Sequence, residues 1–294
     1  MARRRPLGRR LLDALEGGGA WLLFGFSRLL PVAWASGIAG SVARLIGPHL
    51  GISRRARQNL RRALPELSDE RREEIVRGMW DNLGRVAAEY PHLGKFRVYE
   101  PRGRVEIVDA DYIRKPGPRA IFVSAHFGNW EIATLSATQA GLGITEIYRA
   151  ANNPIVDGII NHARRVMGSE LAPKGSVAAR RAIAALQQGR HIAMLVDQKM
   201  NDGIAVPFFG RNAMTAPAAA RLALRFGCAV VPVRVERLPR AHFRIVADPP
   251  IAYKSTGDTE RDTLALMTQV NQVLERWIRD KPDQWFWLHR RWPD

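Results

Sequence analysis

Apolar positions follow two alternating rhythms along most of the chain. After Ser68, the residues Ile75, Val76, Met79, Trp80, Leu83, Val86, Ala87 and Tyr90 recur at helical spacing, as on the buried face of an amphipathic helix. Ser68 is a good N-cap, Asp69 and Glu70 occupy the first turn, and Pro91 ends the segment. The aromatic side chains of this stripe are expected in the core. Further on, short apolar runs alternate with helical stretches. Strands are expected at Val105 to Val108, Ala120 to Ser124, Ile144 to Tyr148, His191 to Val196, Ala229 to Val235 and Phe243 to Val246. Helices are expected from Glu131 to about Ala140, from Asn153-Pro154 to about Met167, from Ser176 to Gln188, from Ala216 to Phe226 and from Asp258 to Arg279. Ala205 to Phe209 reads as a short extended segment. Strands alternating with helices of this length predict an α/β fold, with a largely parallel central sheet flanked by helices.

The amino terminus departs from this rhythm. Arg3, Arg4, Arg5, Arg9 and Arg10 precede a stretch, Gly17 to Ala43, whose only charge is Arg28. Its longest uncharged run, Leu29 to Ala43, contains Pro31 and is shorter than the about 20 apolar residues that span a bilayer. Arg54, Arg55, Arg57, Arg61 and Arg62 follow, with no acid between Arg44 and Arg62. Positive flanks on both sides favour keeping both ends on the cytoplasmic face. Residues 1–62 therefore read as a basic, apolar, membrane-associated helical region, a hairpin or amphipathic anchor held by anionic lipid, and residues 63–294 as the α/β domain. A single tilted span with Arg28 snorkelling, or a buried helical pair of a soluble domain, are the other readings.

Composition sharpens the picture in two places. With 294 residues, 46% of them hydrophobic, the chain can bury one large core. A formal net charge of +17 implies an anionic partner: a membrane surface, a phosphorylated substrate, an acidic protein or nucleic acid. No nucleic-acid motif accompanies the charge, and the arginines crowd the flanks of an apolar segment, so nucleic acid is not expected. The single cysteine, Cys228, excludes an intramolecular disulfide framework and fits a reducing compartment. It sits beside an apolar run, as a buried inert thiol would.

The candidate chemistry gathers at strand ends. His126 follows the strand Ala120 to Ser124, and Glu131 opens the next helix. A neutral imidazole held by a carboxylate is a standard general base. The amides near Gly128 and Asn129 are placed to face an anion at the helix start. Arg149 follows the next strand and could grip a phosphate or stabilise an oxyanion. Asp197 and Gln198 end a third strand, where they could orient the base or acceptor or cap the loop. Lys174 and Lys199 are possible phosphate contacts, or solvated lysines. Phe208-Phe209-Gly210, followed by Thr215 and Pro217, reads as a loop closing over the site or as a simple hairpin. There is no Gly-x-Ser-x-Gly elbow, no metal-ligand spacing and no Gly-x-Gly-x-x-Gly after a strand. Neither a metal nor a cofactor is expected.

The string Ser124-Ala-His126-Phe-Gly-Asn-Trp-Glu131 resembles the catalytic motif of the bacterial lipid A late acyltransferases, the lauroyl and myristoyl transferases, within the wider His-x4-Asp/Glu glycerolipid acyltransferase group. The likeness continues through Tyr148-Arg149, Asn153-Pro154, Asp197-Gln198, Phe208-Phe209-Gly210 and Gln284-Trp-Phe-Trp-Leu-His289-Arg290-Arg291. The resemblance implies a glycerolipid-acyltransferase-like fold. It implies that His126 takes the proton from a lipid hydroxyl, that Glu131 orients and charges the imidazole, and that the oxygen attacks an acyl thioester without an acyl-enzyme. It also places Arg149 and Asp197 in the site; Gln198, Asn129 and Lys174 are further candidate binding positions from their places in the chain. The implied donor is acyl carrier protein or acyl-CoA. The implied acceptor is a lipid A precursor or another glycolipid, such as a phosphatidylinositol mannoside or ornithine lipid. The implied place is the cytoplasmic face of the inner membrane.

Overall fold

The structure is a computed structural model that describes residues 6–292. The arginines at positions 3 to 5, part of the expected basic start, lie outside the described residues.

Two helices open the chain, α1 (Leu7–Leu29) and α2 (Val32–Ile46). Pro31 takes the N-cap position of α2, where its missing N–H costs no helical hydrogen bond. Helices α3 (Ser53–Ala63) and α4 (Asp69–Glu89) follow. Ser68 caps α4 as expected, accepting from the Arg71 amide at 3.2 Å. The remaining elements are β1 (Val105–Val108), the short α5 (Asp111–Arg114), β2 (Ala120–Ser124), α6 (Glu131–Gln139), β3 (Ile144–Tyr148), α7 (Pro154–Arg164), β4 (Glu170–Pro173), α8 (Ser176–Gln187), β5 (His191–Leu195), β6 (Lys199–Phe208), β7 (Arg211–Thr215), α9 (Ala218–Phe226), β8 (Ala229–Leu238), β9 (His242–Ala247) and α10 (Thr259–Asp280).

The main sheet has the order β1-β9-β8-β2-β5-β3-β4. Its pairs are parallel except β8 with β9. β2 lies in the middle with both faces covered. Ile121 and Val123 enter one core, under α8, α9 and α10, while Ala120 and Phe122 enter the other, under α6 and α7. A strand buried on both faces has no polar side to show, which is why Ala120 to Ser124 reads as a continuous apolar run.

Two departures from expectation concern extended segments. β4 was not anticipated: Glu170-Leu-Ala-Pro has no clear apolar alternation, and it forms only because β3 offers an edge to pair with. Of Ala205 to Phe209, residues Ala205 to Phe208 form the distal part of a longer strand, β6, which pairs antiparallel with β7 in a separate ribbon. Phe209 and Gly210 make its turn with positive φ, so this segment is a hairpin.

The N-terminal helices are packed onto the body. Asn153 caps α7 and also donates to the Asp13 carbonyl at 2.8 Å, tying α7 to α1. α2 lies close on α4 at Gly84, where a Cβ would stand 2.4 Å from the Ala39 carbonyl oxygen. The expected boundary at residue 62 falls inside α3, whose Ala56, Leu60 and Ala63 join the main core. Among the described residues no helix is long and apolar enough to cross a membrane. The single tilted span thus has no counterpart there, because Pro31 divides the apolar stretch into two helices.

Candidate active site

Parallel β2, β3 and β5 bring their carboxyl ends to one edge of the sheet, the usual place for a site in an open α/β sheet. His126 lies just beyond β2, Arg149 just beyond β3, and Asp197 and Gln198 just beyond β5. The turn after His126 depends on Gly128. Its φ is +56°, and a Cβ there would stand 1.8 Å from the Val235 carbonyl oxygen, so only glycine fits.

The carboxylate that holds the His126 ring is Asp197. Nδ1 of His126 lies 2.8 Å from Asp197 Oδ1, and the His126 backbone N–H donates to Oδ2 at 2.9 Å. The Trp285 indole N–H donates to the same Oδ2 at 2.9 Å. Asp197 is fully buried. Burial alone would raise its carboxyl, but the facing His126 ring, the hydrogen bonds and His289 outweigh it and hold the carboxyl well below the usual range. With Nδ1 turned to Asp197, Nε2 is the nitrogen left to act. The Gln198 amide nitrogen lies 3.4 Å from it.

Glu131 does not reach the imidazole, contrary to the orienting role expected of it. It points the other way, into a buried ion pair. Arg164 of α7 grips it with Nε at 2.7 Å and Nη2 at 2.6 Å, and Tyr90 and the Trp130 indole donate to it at 2.8 and 2.9 Å. Burial pushes the Glu131 carboxyl up, and Arg164 with these donors more than reverses that, leaving it charged. Glu146, 4.0 Å from Arg164, is raised by burial. The physical reason is geometric: Glu131 begins α6 facing α7, while the ring of His126 turns across the sheet edge towards β5.

The other expected residues divide. Arg149, Lys174 and Gln198 line the same cavity as His126, which has a volume of about 940 Å³. Asn129 is buried, donating to Glu89 at 2.7 Å and accepting from the Glu131 amide at 3.3 Å, so its side chain braces the turn. The Gly128 amide donates to the Gln284 carbonyl at 2.9 Å, so that one of the two amides is already engaged. The Phe208–Phe209 tip lies beneath the C-terminal aromatics rather than over the cavity, with Trp292 donating to the Phe208 carbonyl at 3.0 Å. Cys228 is buried, as expected.

Arg164, Tyr90 and Trp285 were not singled out as site residues. Arg164 is one of 45 basic residues, and nothing in its local pattern separates it from the rest. His289, seen only within the C-terminal string, packs edge-on to the His126 ring at 4.7 Å between centroids. Burial, and then the neighbouring His126, push its imidazole down to about 3, so it stays neutral. His126, Asp197 and His289 offer donor atoms within 4.8 Å of one another, a grouping that their sequence spacing hides. Both Asp197 oxygens already accept hydrogen bonds, two of them on Oδ2, so the arrangement works as a hydrogen-bonded histidine–aspartate pair.

The cavity is mostly apolar, with Phe122, Ala133, Ala137, Ala182 and Val233 in its walls. Cationic groups stand at its rim. Such a shape can hold a hydrocarbon chain with its polar end beside His126.

Comparison with known proteins identifies relatives along most of the chain. The profile of the family described as bacterial lipid A biosynthesis acyltransferase matches residues 8–294. The lipid A biosynthesis lauroyltransferase of Escherichia coli (strain K12) is 25% identical, over 80% of this chain and 76% of that protein. The lipid A biosynthesis myristoyltransferase of the same organism is 26% identical, over 92% and 85%. A phosphatidylinositol mannoside acyltransferase of Mycolicibacterium smegmatis is 25% identical, over 78% and 76%. Among solved structures, the 1-acyl-sn-glycerophosphate acyltransferase PlsC of Thermotoga maritima is a distant neighbour, 14% identical with a TM-score of 0.36, covering 90% of this chain and 98% of that one.

Proposed function

The chain belongs to the bacterial lipid A biosynthesis acyltransferase family, and we propose that it moves a fatty acyl chain from a thioester to a hydroxyl of a lipid A precursor at the cytoplasmic face of the inner membrane. It is an acyltransferase; the donor, acceptor and mechanism are our reading. The observation that carries the mechanism is that His126, paired with Asp197, lines a largely apolar cavity of about 940 Å³.

In this reading His126 Nε2 takes the proton from the acceptor hydroxyl as the oxygen attacks the thioester carbonyl carbon. Asp197 fixes the tautomer and stabilises the imidazolium that forms. The tetrahedral intermediate collapses with cleavage of the C–S bond, and His126 returns the proton to the departing sulfur. An ester and a free thiol result, with no acyl-enzyme. Glu131 acts through Arg164 and the α6–α7 contact rather than on the imidazole. Arg149 and Lys174, at the rim, suit the phosphates of the acceptor or of the donor's arm. A phosphopantetheine thioester carried on an acidic acyl carrier protein fits the net charge of +17. The similarity of the mannoside acyltransferase keeps another glycolipid acceptor, with a CoA donor, as the second reading.

The membrane seat is supported by the surface of α1 and α2. Leu7, Leu15, Leu22, Leu29, Trp34 and Leu45 are exposed there, with Arg10, Arg28, Arg44 and Arg54 nearby in the sequence. An apolar face edged by arginines suits a helix pair lying in the interface of an anionic bilayer.

The test is mass spectrometry of the lipid product. Purified protein receives a tetra-acylated, Kdo-bearing lipid A precursor with either an acyl carrier protein pool or an acyl-CoA pool. The expected result is an added acyl mass with the carrier-protein pool, absent with a folded His126→Ala variant. Full activity in that variant would overturn the base assignment. Transfer only from CoA, or only to another glycolipid, would establish the second reading.

A further inference from the structure

We infer that Trp285 is a positioning residue for acyl transfer: its indole N–H locks the carboxylate of Asp197 so that the His126 ring presents Nε2 to the cavity. The inference rests on the reading of His126 as the base.

A carboxylate turns easily about its terminal torsion, which has broad wells. Asp197 is denied that freedom by the division of its donors. Oδ2 accepts two N–H groups, from the His126 backbone and from Trp285, each at 2.9 Å. This leaves Oδ1 aimed at Nδ1 of His126 at 2.8 Å. Of the two donors on Oδ2, the indole is the one supplied from outside the catalytic turn, 88 residues along the chain.

Trp285 can impose an orientation because it is itself held. It lies opposite Phe127 in an isolated antiparallel bridge. The Phe286 amide donates to the His126 carbonyl at 3.1 Å, and the Gly128 amide donates to the Gln284 carbonyl at 2.9 Å. Residues 284–286 therefore run along the turn after His126 as a strap. The indole is fully buried, edge-on to Phe208 and Trp287 at 5.9 and 4.6 Å. Its neighbours behave differently. Trp287 and Trp292, in the same aromatic cluster, donate to the backbone carbonyls of Pro282 and Phe208. Trp285 alone of these three aims its N–H at a charged group in the site, where a hydrogen bond to a buried carboxylate is worth more than one to a carbonyl.

The experiment replaces Trp285 by 3-benzothienylalanine, which keeps the bicyclic shape but has sulfur in place of the N–H. The same replacement at Trp287 is the control, since it removes an equally buried N–H from the same cluster. Both proteins, with wild type and His126→Gln, are assayed with the acyl carrier protein pool and the lipid A precursor. The low-field proton resonance of the His126 Nδ1–H, assigned by its absence in His126→Gln, is recorded in each. At position 285 we expect kcat to fall by about 10–100-fold with KM changed less than about twofold, and the low-field resonance to move upfield. At position 287 both should stay near wild type. An unchanged kcat and resonance at 285, or equal losses at 285 and 287, would overturn the positioning role while leaving the base assignment standing. Full activity in His126→Gln would overturn both.

Discussion

At the scale of single residues, the site is organised by which carboxylate faces which cation. Glu131 and Asp197 are both buried acids, yet one meets a guanidinium and the other an imidazole. The Glu131–Arg164 pair is well compensated, because both guanidinium donors in the contact and two further N–H or O–H groups converge on one carboxylate. Breaking such a pair from one side leaves a buried charge without a partner, at a cost of about 3–5 kcal/mol. Arg164→Ala should therefore lower stability by that order at neutral pH, measured by denaturant unfolding. The sign of its pH dependence follows from burial. Without Arg164, desolvation would raise the Glu131 carboxyl above its unfolded value, so the lost stability should return as pH falls through that raised value. In the wild type the folded Glu131 carboxyl is depressed, so its contribution is present above the unfolded value and is lost as pH falls through the folded one. A variant whose stability deficit stays constant from pH 7 down to pH 4 would contradict this account of Glu131.

At the scale of elements, the turn after His126 is clamped from both sides. Asn82 of α4 donates to the Gly128 carbonyl at 3.0 Å, and Arg237 of β8 donates to Asn82 at 2.6 Å. Glu89, at the end of α4, collects Asn129, Ser36 of α2 and Arg237. A buried polar network of this kind specifies one arrangement, because each group left unpaired would cost its desolvation. Gly128 is where the clamp is tightest. Gly128→Ala would drive a Cβ into the Val235 carbonyl and would also oppose the positive φ. We expect a loss of stability of several kcal/mol and of most transfer activity, read by thermal unfolding and by the product assay. A variant with wild-type melting and rate would mean that β8 can move away from the turn.

At the scale of the whole molecule, charge and apolar exposure are arranged to suit a surface. The chain carries +17, and the exposed large apolar side chains concentrate on α1, on α2 and in the segment just after it. The proposed membrane seat would combine buried apolar area with attraction to anionic lipid, the second worth about 1 kcal/mol per basic residue near the surface. Binding to vesicles containing anionic lipid should weaken by an order of magnitude or more when salt rises from about 0.05 to about 0.5 M. Leu22→Glu with Leu45→Glu should weaken it further while leaving thermal unfolding near wild type, since both side chains are exposed. Sedimentation with vesicles measures both. Binding unaffected by the double substitution would remove α1 and α2 from the membrane seat.

Much of the architecture was legible in the sequence, because its signals are local. Ser68 and Pro91 mark helix ends, and the fully apolar run from Ala120 marks a strand covered on both faces. A parallel sheet then sends β2, β3 and β5 to a common edge, so His126, Arg149, Asp197 and Gln198 could be placed together before any contact was known. The edge strand β4 was not legible, since a neighbour's open hydrogen bonds, rather than its own residues, make it a strand. The pairings within the site were not legible either. Asp197 lies 71 residues from His126, Arg164 lies 33 from Glu131, and Trp285 lies 88 from Asp197. Periodicity reports which way a side chain faces within its own element; which partner waits there is set by how the elements pack. The amino-acid order by itself determined most of the elements and the sheet edge at which His126 stands. Only the tertiary structure decided that Asp197 holds the His126 ring, that Glu131 belongs to Arg164, and that a C-terminal tryptophan closes the arrangement, because a buried charge is stabilised by whichever donors the packed fold brings within reach.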